Sequence, residues 1–387
     1  MKALVYERSL PRFAAARVAS ALAPGRGAKV GPLHFTDVEE PALPGPAWHR
    51  VRPRLAGICG SDLATVDARS SRWFEPVVSF PFVPGHEVVG DLDDGRRVVL
   101  EPVLACAARA VDPPCPACAR GDNGNCERVA FGCLEPGIQT GYCADTGGGW
   151  SAALVAHESQ LHPVPDGMAD EAAVMVEPTA CAVHGVVSTA VPEGAVVAVL
   201  GAGTLGLCTV AALRRLALPG AVIASAKHDV QRRLARDLGA DEVVEPDGVS
   251  RAVRRETRSL AVDGRLTGGA DVVFDCVGNE GSLAQALAVV RPRGTIVLVG
   301  MPGPVKVDLT PLWQREVRLV GSYAYRHDTF ATAFELVADA GLQRLVSALY
   351  PLEHWREALD HAGAAGRRGA VKIAFDLRSA KRPGRNR

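Results

Sequence analysis

The sequence predicts an α/β chain with two parts: an irregular, mostly β unit and a doubly wound parallel sheet. Three observations predict it. Over roughly its first 180 residues the chain is rich in Pro and Gly and carries short β-prone runs, such as Arg96-Arg-Val-Val-Leu100. From Ala195 the texture changes to alternating strand and helix patterns, which implies parallel strands joined by crossover helices. Between the first of these strands and the first helix lies a glycine-rich turn, Gly201-Ala-Gly203-Thr-Leu-Gly206.

The elements follow in order. Residues 195–200 read as a strand and 205–216 as a helix. Residues 221–225 are a strand, and 230–238 a helix stopped by Gly239, a natural C-terminal glycine. Further strands are expected at 241–244, 271–274, 295–299 and 317–320, and helices at 282–290 and 329–340. Residues 370–375 return to β character, and 378–387 form a basic tail expected to fray. No internal repeat or long low-complexity segment stands out.

Bulk composition narrows the class. A chain of 387 residues carries a prior of about two or three domains. Lys+Arg and Asp+Glu are both 43, so there is no basic excess to attract nucleic acid or an anionic membrane. Residues 195–213 carry no charge and could span a bilayer on length alone. Three glycines and a β-prone first half make them a buried strand, turn and helix instead. No apolar-cored export signal is visible, so a cytoplasmic location is expected. Ten clustered cysteines in that setting point to metal rather than disulfides.

The glycine turn has the context of a dinucleotide site. Gly201, Gly203 and Gly206 allow the tight turn, close backbone approach to a pyrophosphate, and close helix–strand packing. Thr204 and Leu205 open a helix whose free N–H groups face the phosphates. Ser225 and Val277 complete the nucleotide set. An NAD site expects an acid about 20 residues on to bond the ribose 2′-OH. Ala226 stands there, with Lys227, His228 and Arg232 close by to pair with a 2′-phosphate. NADP is therefore preferred over NAD; the alternative leaves these as surface charges and gives the ribose to Asp229.

Two groups of residues suit zinc. Cys115-x2-Cys118-x7-Cys126 is a thiol cluster in a loop, and a structural zinc needs a fourth ligand. Cys106 is the first choice, with Cys133 and Asp112 as alternatives. The second group pairs Gly57-Ile-Cys-Gly-Ser-Asp62 with Gly85-His-Glu87. Cys59 and His86 are ligands for a catalytic metal. Asp62 could fix the imidazole tautomer, Glu87 could ligate or stand behind the metal, and Ser61 could pass a proton. Trp73, Phe74 and Phe82 either line a pocket near Gly85 or belong to the core.

Together these residues resemble the zinc-containing medium-chain alcohol and polyol dehydrogenases. The resemblance runs from Met-Lys-Ala at the start through both zinc segments, Val176-Glu-Pro178, the glycine turn, Leu238-Gly-Ala-Asp241, Asp275-Cys-Val-Gly278 and Arg293-Gly-Thr-Ile-Val297. It implies a GroES-like β catalytic domain (1–185), a Rossmann dinucleotide domain (186–325), and a segment (326–387) that returns to the catalytic domain. It implies a homo-oligomer, dimer or tetramer, and an alcohol or polyol as the small-molecule substrate. Its third metal position is Cys or Glu, and Glu177 matches the Glu version of the sorbitol, threonine and glucose dehydrogenases. In such relatives the counterparts of Glu87 and Glu177 exchange as direct or water-mediated ligands. The implied chemistry is hydride transfer between a CH–OH carbon and a nicotinamide, with zinc polarising the oxygen.

Three departures stand out. A relay histidine common five residues after the catalytic Cys is replaced by Ala64. Asp112 occupies the usual place of the first structural-zinc cysteine, and residues 9–31 are a long N-terminal stretch with no assigned role. Rival readings are a zinc-free quinone-type reductase of the same superfamily and a catalytically silent nucleotide-binding protein. Metal content separates them: about two zinc ions for the enzyme, one for a structural site alone, none for the reductase.

Overall fold

The computed structural model describes residues 1–301 and 303–379. A six-stranded parallel sheet forms its later half. In spatial order the strands are Glu242–Val244, Ala221–Ser225, Val196–Leu200, Ala270–Asp275, Val290–Leu298 and Arg318–Gly321. Every neighbouring pair is parallel. Numbered by appearance, the order is 3-2-1-4-5-6, the Rossmann arrangement. The central strands read as unbroken apolar runs because helices cover both faces. Val197, Ala198, Val199 and Leu200 are all buried to within 1%. Strand order reverses between Val196–Leu200 and Ala270–Asp275, so a crevice opens at their carboxyl ends.

The strands and helices expected after residue 195 form, mostly with ends shifted by one or two residues; the one expected at 295–299 begins at Val290. Helix Val249–Thr257 was not anticipated. It buries only Val249, Ala252 and Val253, too narrow a stripe to stand out in a charged sequence.

The first half centres on a seven-stranded mixed sheet. Strand Trp48–Gly57 is its axis. Trp48 to Val51 pair with Leu154–His157, and Leu55 to Gly57 pair with Lys372–Asp376. The other flank is Val88–Leu92, followed by Arg97–Leu100 and Leu161–Pro163. The late segment thus closes the early sheet: Lys372–Asp376 lies between Trp48–Gly57 and Val346–Pro351. One buried cluster joins the halves, from Leu55 and Val89 through Val176 and Val183 to Val197 and Val210. Residues 195–213 are strand and helix, as expected. Among the described residues, the helical stretch long and apolar enough to cross a membrane is instead Asp170–Thr189, whose apolar window is 72% buried inside the protein, as a core helix is.

Residues 9–31 form helix Leu10–Leu22, with Pro11 in its first turn, and a short 3-10 turn, Arg26–Lys29. A buried carboxylate fastens the turn. Asp67 accepts from the N–H of Gly25 (2.8 and 3.1 Å) and of Gly27 (3.0 Å), and pairs with Arg69 at 3.0 Å. The tail expectation falls mostly on 380–387, outside the described residues. Arg378 is described and is no frayed end: it pairs with Asp376 at 2.7 Å and Glu171 at 3.2 Å.

Candidate active site and metal centres

Sheet pairing brings Cys59 and His86 together. Ala56 pairs with Val88 on adjacent antiparallel strands, so the segments 57–62 and 85–87 leave the same end of the sheet. Gly85 turns that corner at φ 98°, where a Cβ would strike Trp150. Cys59 caps helix Gly60–Val66, and its N–H donates to Asp62 Oδ2 at 2.9 Å. Asp62 Oδ1 faces His86 Nδ1 at 3.4 Å, and both atoms are buried with no other hydrogen-bond partner. Cys59 lies within hydrogen-bonding reach of His86. Burial opposes a charged imidazole, yet Asp62 outweighs it and holds His86 well above its ordinary pKa.

Glu87 is turned to a residue the sequence reading missed. Lys372, on the late strand and 2% exposed, forms an ion pair with Glu87 Oε2 and donates to Ile58 O at 3.3 Å. Gly57 leaves room for this pair, because a Cβ there would collide with the Glu87 carboxylate. Glu177 begins helix Val176–Thr189 and joins the same buried neighbourhood. Tyr325 OH donates to its Oε1 at 3.2 Å, and Cys181 Sγ lies 3.7 Å from it. Burial pushes Glu177 up to about 7; Glu87 adds to the rise, while His86 and Lys372 oppose it.

The donor types suit a metal, but among the described residues Cys59, His86 and Glu177 do not close to within 4.8 Å of one another as the four thiols of the cysteine loop do. His86 turns Nδ1 to a carboxylate and keeps Nε2 for ligation, the carboxylate–histidine arrangement behind many zinc ligands. A thiol, an imidazole and a carboxylate are the donors that zinc takes. Ser61 is exposed at the start of its helix, and Thr65 bonds back to its carbonyl at 3.0 Å. Behind Ala64 runs a line of hydroxyls: Tyr142 OH meets Thr65 Oγ1 at 3.2 Å, and Thr65 meets Ser70 Oγ at 3.0 Å. The Tyr142 ring lies 6.1 Å from that of His86. The aromatic residues near Gly85 divide: Trp73 is 84% exposed, whereas Phe82 is core and stacks on Tyr6 at 5.1 Å.

The thiols of Cys106, Cys115, Cys118 and Cys126 converge, all within 4.8 Å of one another. A tetrahedron of zinc–sulfur bonds of about 2.3 Å sets sulfurs about 3.8 Å apart. The Cys106–Cys126 separation is 3.7 Å. Backbone N–H groups of Cys115, Cys118, Glu127 and Arg128 point at three of the sulfurs, at 3.3 to 3.5 Å. Burial raises the Cys115 thiol, but the N–H groups of Cys118 and Glu127 win and bring it to about 7. The other two ligand options stand apart from this group, and Cys133 is exposed. Arg109 pegs the surrounding loops. It is fully buried and donates to the carbonyls of Leu104, Phe131, Leu134, Glu135 and Gly137. An Arg among alanines gives no sequence signal of this.

The glycine turn lies where the sheet order reverses. Gly201 has φ 88°, and a Cβ on Gly206 would collide with Gly201 O. Gly203 caps helix Thr204–Leu216, with Leu205 in its first turn. Val277 packs over Gly201, and its N–H and that of Gly278 are held by Asp275 at 3.0 Å. A cleft of about 280 Å³ separates this turn from the first half. Ile58 and Gly60, either side of Cys59, face Gly203, Thr204 and His228 across it. Ser225 and Ala226 are buried at the strand end, and Lys227 is exposed. Arg232 departs from its expected part. Its guanidinium is taken up by Asp229, by Glu245 at 3.1 Å, and by the carbonyls of Ala226 and Lys227 at 3.3 and 3.1 Å.

Two family models match the chain: the alcohol dehydrogenase GroES-like domain over 45–166, and zinc-binding dehydrogenase over 204–339. The chain is 30% identical to a sorbitol dehydrogenase of Arabidopsis thaliana over 347 residues, 86% of this chain and 89% of that one. It is 28% identical to L-idonate 5-dehydrogenase of Vitis vinifera over 348 residues, again 86% and 89%. Among solved structures, a protein of Sinorhizobium meliloti 1021 bound to NADP shares 26% identity at TM-score 0.69, over 89% of this chain and 95% of that one.

Proposed function

Because the chain belongs to the zinc-containing medium-chain dehydrogenases, we propose that it moves hydride between a polyol-type CH–OH carbon and a nicotinamide cofactor. One observation carries this reading: Ile58 and Gly60, either side of the donor Cys59, line a cleft whose far wall includes the dinucleotide turn at Gly203 and Thr204. The sorbitol and L-idonate dehydrogenases among its relatives support a polyol. A substrate screen across polyols, amino alcohols and simple secondary alcohols, read by reduced-nicotinamide absorbance, tests it. No turnover on any polyol would overturn it.

Cys59, His86 and Glu177 would hold the catalytic zinc, with Glu87 behind them, since Lys372 occupies its carboxylate. When bound, zinc lowers the pKa of an alcohol oxygen, and the nicotinamide takes the hydride. Asp62 fixes the tautomer and tilt of His86. Lys372 balances the charge of Glu87 in a pocket that also holds Glu177. With Ala64 in place of a histidine, the hydroxyl proton leaves through hydroxyls, Ser61 at the mouth and Tyr142, Thr65 and Ser70 behind it. Thr65→Val breaks that line and is expected to lower kcat about tenfold or more, with KM little changed. An unchanged kcat and solvent isotope effect would remove the line from the mechanism.

Cys106, Cys115, Cys118 and Cys126 would hold the structural zinc. NADP is the preferred cofactor. The absence of an acid at Ala226 supports this, as does the NADP-bound relative. Lys227 and His228 are then the cations for a 2′-phosphate, since Arg232 is already paired. Ala226→Asp is expected to weaken NADP at least about tenfold and to favour NAD, because a carboxylate repels the phosphate and bonds the 2′-OH. If the unchanged protein bound NAD at least as tightly as NADP, the preference would be wrong.

The chain is taken to act in residues 1–185, 186–325 and 326–387 as three segments of two domains. Its ten free thiols support a reducing, cytoplasmic setting. The edge strand Arg318–Gly321 is exposed throughout, with Trp313 79% exposed nearby, and offers a second copy a place to pair. A one-chain mass by light scattering would rule out such an oligomer.

A further inference from the structure

Three ligand-type side chains converge away from the groups described so far. Glu101, next after strand Arg97–Leu100, is 2% exposed. Its Oε2 accepts from His162 Nε2 at 2.8 Å and from His327 Nδ1 at 2.6 Å. The three ligand atoms all lie within 4.8 Å of one another. His162 is held in place by packing: its ring stacks on Phe330, 4.3 Å between centroids and 8° between planes. His327 arrives from 226 residues further along the chain, and half of its side chain is open to solvent.

Two imidazoles and a carboxylate with one open side form a donor set that zinc and its neighbours accept. Metal–ligand bonds of about 2.0–2.2 Å in a tetrahedron place donors about 3.4 Å apart. The present separations to Glu101 are shorter, so each imidazole need retreat by only about 0.6–0.8 Å. The two N–H protons now shared with the carboxylate occupy the space that a cation would take; as it bound, a neutral imidazole would carry its proton on the other ring nitrogen and a charged one would give its proton to solvent. A buried carboxylate supplies charge, His162 supplies a fixed arm, and His327 supplies a movable arm next to water.

We propose that Glu101, His162 and His327 form a further metal site for a divalent transition cation of the zinc, nickel or cobalt class. The ion would tie the late segment of the chain to the early sheet. It would also steady a loop that serves the active site, because Tyr325, two residues before His327, bonds Glu177. Tyr325 packs edge-on against the same Phe330, 4.8 Å between centroids, so the loop already bridges both places.

The test uses untagged, zinc-loaded protein titrated with Ni²⁺ by calorimetry, with zinc content measured before and after. One Ni²⁺ per chain should bind beyond the resident zinc, with weak d–d absorption and without a thiolate charge-transfer band. His327→Asn should weaken this binding at least ~100-fold with resident zinc unchanged. Glu101→Gln should do the same; if that buried variant fails to fold, the half-exposed His327 decides the matter. Absence of extra binding, equal binding by His327→Asn, or a charge-transfer band marking displacement at the cysteines would each overturn the site.

Discussion

Cys59→Ser and His86→Ala should each lower turnover by at least about 10³-fold while leaving dinucleotide affinity within about twofold. The size follows from what these residues hold. A metal at a reacting oxygen contributes several kcal/mol of charge stabilisation, and each 1.36 kcal/mol is about tenfold in rate. The dinucleotide wall is built from Gly201 to Gly206 and Val277, on other strands, so cofactor binding survives. The loss of Cys59 also removes a neighbour of His86, whose Nδ1 side is already fixed by Asp62. Zinc content, fluorescence titration with the reduced cofactor and a melting curve separate loss of metal from loss of fold. Full activity in metal-free protein would end the zinc mechanism.

Cys115→Ser or Cys126→Ser should release one zinc and lower the unfolding temperature by on the order of 10 °C. Residues 104–137 are mostly turns, with one α-helical turn, Pro116–Ala119, and one 3-10 turn, Asn123–Asn125, and their large buried apolar side chains beyond the thiols are Leu104 and Leu134. Metal binding is the larger part of what folds such a lobe. Arg109 sharpens the effect. Burial lowers its pKa, and its charge is tolerated through carbonyl contacts that exist only while the lobe keeps its shape. Activity should fall too, at a distance. Gly124 packs against the carbonyls of Tyr323 and Tyr325, and Tyr325 holds Glu177. Calorimetry with parallel zinc analysis checks this; one zinc lost with an unchanged melting temperature would refute it.

Much of this was legible in the sequence because the signals are local. Strands such as Val196–Leu200 are unbroken apolar runs between a turn and a helical period, and the glycine turn sits where such a run ends. The four thiols lie within 21 residues of one another, Cys106 to Cys126. What stayed hidden depends on distant partners. Lys372 reads as an ordinary surface lysine until the late strand pairs with Trp48–Gly57 and carries it to Glu87. His327, His162 and Glu101 share no spacing that could bring them to notice. Arg232 misled for the opposite reason: its cationic type was read, but not that Asp229 and Glu245 already neutralise it. Helix Leu10–Leu22 had a readable sign, Pro11 in its first turn, but it buries only Ala16 and Ser20 and leaves Leu10, Val18 and Leu22 exposed, so its apolar residues mark no core-facing stripe.

The pairing of Glu87 with Lys372 has a bearing on how the chain is made. The two residues are 285 positions apart. A ribosome delivers Cys59, His86 and Glu87 early, then all six strands of the parallel sheet, and Lys372 only afterwards. Throughout that interval the nascent pocket holds an acid with no counter-charge. The reactive half waits for the strand Lys372–Asp376, which follows every strand of the parallel sheet. A chain cut before residue 372 would lack both the counter-charge of Glu87 and the strand that pairs with Trp48–Gly57.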